Sequence, residues 1–83
     1  MKIRVKTGGL LGKYLPPGSE ANRAEIEIPP GTTPVGVMER LGIPTEGRYL
    51  VTINGTALPE NGRRTTLLEE GDHLAIMPPL RGG

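Results

Sequence analysis

The sequence contains no cysteine, no phenylalanine and no tryptophan, and its one histidine is His73. Without cysteine there are no disulfides, no thiolate metal ligands and no thiol nucleophile, and one imidazole does not make a multi-histidine metal site. Tyr14 and Tyr49 are the only aromatic side chains, so no platform exists on which several nucleic-acid bases can stack. The core must be assembled from Leu, Ile, Val and Met. An excess of one charge is lacking too. Ten Lys and Arg stand against nine Asp and Glu, a net charge of +1, and the basic residues are interspersed with acidic ones, which gives no electrostatic footprint for a polyanion. No apolar run approaches the roughly 20 residues of a membrane span. The opening "MKIRVKT" alternates apolar and basic residues where a signal peptide carries a continuous apolar stretch. A cytoplasmic chain with no metal, no cofactor, no nucleic-acid partner and no membrane segment is expected. Its 83 residues suffice for one domain, since so short a chain hides only about 60% of its unfolded surface.

What is present is a series of short, patterned segments. In "MKIRVKT" Ile3 and Val5 alternate with Lys2, Arg4 and Lys6, and in "AEIEIP" Ala24, Ile26 and Ile28 alternate with Glu25 and Glu27. Both have the period of two that belongs to a strand with one wet face. Their charges are complementary, so antiparallel pairing sets cations of the first opposite carboxylates of the second. The link between them, residues 8–23, is long for a hairpin and carries Leu10, Leu11, Tyr14 and Leu15, so part of it is expected to fold back onto the body. Its "GGLLGKY" is not a phosphate-binding loop. Three residues rather than four separate Gly8 from Gly12, and Tyr14 stands where that motif needs Ser or Thr.

"PPGTTPVGVMERLG" predicts a helix: Thr33 caps it, Pro34 suits its first position and Gly42 closes it. Val37, Met38 and Leu41 share one face. "RYLVTINGTALP" predicts strand structure, with Tyr49, Val51 and Ile53 facing one way, Leu50 and Thr52 the other, and a tight turn at Asn54-Gly55. "ENGRRTT" reads as a polar loop, "LLEEGD" as a short element running into a turn at Gly71, and "HLAIMPP" as the last strand, ended by Pro78 and Pro79, which have no N–H to donate. The order predicts an α+β domain with one main helix packed on one face of a mixed sheet. The domain is expected to span 1–79, with a flexible tail, 80–83, beyond it.

That order, together with "IPPGTTPVGVMERLGIP", "VTING", "LEEGDHLAIMPP" and the closing "GG", resembles the ubiquitin-like β-grasp sulfur carriers. The best-known members are the small subunit of molybdopterin synthase and the thiamine-biosynthesis sulfur carrier. The resemblance runs from Met1 to Gly83 and is weakest in the 8–23 loop. It implies a β-grasp fold and a carrier rather than an enzyme. It further implies that an ATP-dependent adenylating enzyme activates the Gly83 carboxylate, that a sulfurtransferase supplies sulfur, and that the thiocarboxylate delivers it within a complex with the molybdopterin synthase large subunit. Residue chemistry agrees: a terminal carboxylate is an anion at neutral pH and resists nucleophiles until one oxygen becomes a leaving group. Leu80 to Gly83, fully extended, span at most about 13–14 Å, and Gly82 and Gly83 fit a channel where a Cβ would collide. Pro79, Leu80, Arg81 and Met77 are the expected partner contacts. Arg81 departs from the pattern, since carriers of this type more often have a small residue there, and "LRGG" is also how ubiquitin ends. Conjugation to lysines, or sulfur delivery for thiamine or transfer RNA, therefore stands as the alternative.

Other residues have plainer expectations. His73 is expected to face solvent, Glu69, Glu70 and Asp72 to form a solvated turn, and Arg63 and Arg64 to lie at a polar loop tip. Leu58 and Met77 belong either to the core or, with Leu80, to an apolar docking patch beside the tail.

Overall fold

The computed structural model describes residues 1–16, 18–19, 21–45 and 49–78. Strand β1, Lys2–Thr7, buries Ile3, Val5 and Thr7 and exposes Lys2, Arg4 and Lys6. Strand β2, Arg23–Glu27, pairs antiparallel to it in the register Lys2↔Glu27, Arg4↔Glu25 and Lys6↔Arg23. The first two pairs join opposite charges, with Arg4 Nε 3.5 Å from Glu25 Oε2. This is the hairpin that the charge pattern predicts. The connection folds back as expected: a 3₁₀ helix, Gly9–Tyr14, leads into the core through Leu11 and Leu15. Ala21 and Asn22, with φ of 51° and 58°, then turn the chain into β2.

Helix α1, Pro34–Leu41, has the predicted ends. Thr33 Oγ1 accepts a hydrogen bond from the Gly36 N–H at 3.2 Å, and Gly42 sits at φ 82°, its N–H donating to the carbonyls of the last turn. Val37 and Met38 are fully buried against Ile3, Val5, Val51, Leu74 and Ile76. Burying each such side chain contributes about 1.5–3 kcal/mol, which offsets the low intrinsic stability of an eight-residue helix. Strand β3, Leu50–Ile53, and the two-residue strand β4, Thr56–Ala57, are joined at Asn54-Gly55. Both turn residues have positive φ, the twist that tight hairpins favour.

Two expectations are corrected between β4 and the last strand. Residues 60–66 are not merely a loop: Gly62–Thr65 form one helical turn, α2. Arg63 is half-buried, not at a loop tip, and its guanidinium donates to the Tyr49 carbonyl. A single turn is too short to print a helical period on the sequence. "LLEEGD" forms no regular element. Leu68 is buried, Leu67 exposed, and the turn at Gly71, φ 82°, is tied by side chains. Asp72 accepts from Asn54 Nδ2 at 3.0 Å and from the Glu69 N–H at 2.8 Å, and Glu70 accepts from the Lys2 N–H at 3.0 Å. These carboxylates cap backbone and turn groups as well as facing water.

Strand β5, His73–Met77, occupies the middle of the sheet, whose order is β2-β1-β5-β3-β4. It runs parallel to β1 and antiparallel to β3. The sheet is therefore mixed, α1 covers one face, and the opposite face is open, with the expected α+β arrangement throughout. Among the described residues no helix is long and apolar enough to cross a membrane.

Candidate functional site at the exit of the central strand

The chain leaves β5 at Pro78, in the middle of the sheet, because β5 is held on both sides. Val51 and Ile76 are directly paired and fully buried, and the next pair on the open face is Leu50↔Met77. Leu50 is 52% exposed and Met77 half-buried, so the exit carries a small apolar surface. Met77 lies in that patch and outside the core. Leu58 has the other fate, packing against the core cluster.

The opposite wall of the exit is glycine. The Gly8 N–H donates to the Ile76 carbonyl at 3.2 Å, continuing the β1–β5 ladder by one bond. This brings the Gly8 backbone so close that a Cβ there would lie 2.7 Å from Met77 Sδ and 3.1 Å from Pro78 Cδ. Gly9, at φ 55°, faces Pro78 Cγ. Gly8 and Gly9 thus form a socket for Pro78, a contact whose partner no local pattern in the sequence announces. A Gly-Gly pair directly after a strand is the available signal, since glycine in such a place marks close approach of another backbone.

Of the residues expected to act, Met77 is at this exit. Pro79, Leu80, Arg81, Gly82 and Gly83 lie outside the described residues. His73 faces solvent as expected, at the far end of β5, its N–H donating to Asn54 Oδ1 at 2.9 Å. Among the described residues no group of three or more His, Cys, Asp or Glu is placed to hold a metal ion.

A mixed five-stranded sheet grasping one main helix, with the chain leaving from the central strand, is the ubiquitin-like β-grasp fold. The ThiS family model matches residues 17–83, and the chain belongs to that family, a family of ubiquitin-like sulfur carriers and modifiers. The match begins after β1 and the 3₁₀ helix and includes the last six residues, "PPLRGG". No curated protein sequence matches the chain. Among solved structures it is similar to small archaeal modifier protein 1 from Haloferax volcanii, with a TM-score of 0.68, 18% identity and full coverage of both chains. A second structure of that modifier gives 0.68 at 15% identity, covering 95% of this chain and 98% of that one. It is also similar to a chain in the complex of subunits 1 and 2 of molybdopterin-converting factor from Helicobacter pylori, with a TM-score of 0.54, 18% identity and full coverage of both. At these identities the likeness establishes the fold.

Proposed function

We propose that this protein is a sulfur carrier whose Gly83 carboxylate is the working group, serving molybdopterin synthesis. The carboxylate attacks the α-phosphorus of ATP in an adenylating enzyme, pyrophosphate leaves, and the terminal sulfur of a sulfurtransferase persulfide displaces AMP. A thiol then reduces the acyl disulfide so formed, leaving as a disulfide and freeing the thiocarboxylate. The thiocarboxylate then gives its sulfur to a pterin precursor held by a synthase large subunit. The observation that carries this reading is the Gly82-Gly83 end within the ThiS-family match, five residues beyond Pro78 at the exit of the central strand. The body ends at Pro79. Pro78 and Pro79 have fixed φ angles, which lowers the ordering cost of threading Leu80 to Gly83 into a partner. Leu80, with Met77, supplies apolar contact, and Arg81 grips the mouth of the channel.

Incubation with the cognate adenylating enzyme, ATP and a sulfur donor is expected to raise the mass of the chain by about 16 Da, sulfur replacing oxygen. A chain lacking Gly83 is expected to gain nothing. No gain in the full chain overturns the proposal.

Arg81 supports one other reading, a modifier joined to lysines through Gly83; the Haloferax volcanii protein is named a modifier protein. Trypsin cuts after Arg81, so a conjugate would leave Gly82-Gly83 on the target lysine. Such remnants in digests of cells producing the protein, lost when Gly83 is deleted, would decide for conjugation.

A further inference from the structure

The open face of the sheet holds an electrostatic conflict. In the β1–β2 ladder Lys6 stands directly opposite Arg23, and like charges in that position repel. Among the described residues neither takes part in an ion pair, whereas Arg4 is matched by Glu25 at 3.5 Å. Across the sheet the same row continues through Ala75 and Thr52 to Ala57. Two cations therefore border a floor of small side chains, in a shallow trough of about 790 Å³ on the face away from α1. The row lies two residues, roughly 7 Å, short of Met77 along β5.

We infer that this trough docks an extended acidic segment of a partner protein, with a Glu or Asp carboxylate seated between Lys6 and Arg23. Arginine accepts a carboxylate in a two-pronged arrangement and the lysine ammonium adds a second cation, so one carboxylate relieves the repulsion across the strands. Ala75 and Thr52 leave width for a backbone to lie along the floor. The charge is local: Arg4 and Glu25, which also line the trough, pair with each other one row further on and leave Lys6 and Arg23 as its unmatched charges among the described residues, and neither tyrosine lines it. A site of that extent suits one or two carboxylates, and it lacks both the phosphate track and the stacking rings of a nucleic-acid surface. The proposal rests on the sulfur-carrier reading only for which partner bears the segment. A protein that holds the tail beyond Pro78 is one row away.

The conflict makes the test two-sided. Lys6→Glu turns a repulsive pair into an attractive one, so the free protein is expected to melt a few degrees higher. The same change is expected to weaken, at least fivefold, the binding of a capped octaglutamate peptide, followed by amide shifts of Lys6, Arg23, Ala75 and Thr52 in 50 mM salt. Arg23→Glu is expected to do both as well and covers poor folding of the first variant. Octauridylate is the competing probe. Unchanged melting and peptide affinity in both variants, peptide shifts outside the trough, or octauridylate binding there as tightly as the peptide would each overturn the proposal. Deleting Gly82 and Gly83 is expected to abolish the sulfur-dependent mass gain and leave peptide binding intact, which separates failure of the trough from failure of the tail.

Discussion

Gly8 shows how a single missing side chain directs the end of the chain. Its backbone, φ −113° and ψ 157°, is open to any residue, so Gly8→Ala introduces no backbone strain and acts only through what its Cβ meets. Those atoms are Met77 Sδ and the ring of Pro78. The thioether swings aside easily, but the proline ring moves only with its own backbone. Gly8→Ala is expected to cost about 1–3 kcal/mol in urea unfolding. Adding Met77→Ala is expected to return part of that, giving a coupling of about 0.5 kcal/mol or more in the double-mutant cycle. Simple additivity would mean the two side chains do not compete for the site. Asp72 makes the opposite case, a side chain with functional looks and a structural task. Removal of its two hydrogen bonds in Asp72→Ala is expected to lower stability by about 1–3 kcal/mol, with the mass gain at Gly83 unchanged in the folded protein. From sequence the acidic cluster reads as a solvated turn, because nothing in "EEGDH" tells which backbone groups it will face.

Among the elements, the helix was the most legible. Thr33, Pro34 and Gly42 are each specific to one position, and each takes it. Thr33→Ala is expected to cost about 1 kcal/mol through the lost cap, and Gly42→Ala about 1–2 kcal/mol, because φ 82° crowds a Cβ against the carbonyl. Urea midpoints of the two variants check both. The strands were legible for a different reason: alternation fixes the buried face, and the charges of Lys2, Arg4, Glu25 and Glu27 fix one register. The helical turn α2 was not. Its four residues, "GRRT", carry no period, and Arg63 is drawn inward by the Tyr49 carbonyl, a partner 14 positions away that no local pattern reveals. The socket of Gly8, Gly9 and Pro78 was hidden for the same reason, since it depends on which strand lies beside β5.

For the molecule as a whole, the absence of Phe and Trp places most of the stability on interlocked aliphatic side chains, with Tyr14 and Tyr49 packed at the margin of the core. Domains gain roughly 0.05–0.15 kcal/mol per residue, about 4–12 kcal/mol for a chain of this length. Met38, fully buried at the centre, is expected to cost about 2–5 kcal/mol when changed to Ala but under about 1.5 kcal/mol when changed to Leu, as read by urea denaturation. The mixed sheet was legible from the order of the elements, but the central parallel pair was not. Nothing local in "IRVKT" or "HLAIM" signals that segments some 70 residues apart run side by side. That pair has a mechanical consequence. β1 begins at one end of the ladder and β5 finishes at the other, so opposed forces applied at Lys2 and Met77 slide the two strands along each other. Such a load is shared by all the evenly spaced bonds of the parallel ladder and does not open them one at a time. A machine that tugs on the tail while the N-terminal end is held loads the domain through that shared ladder.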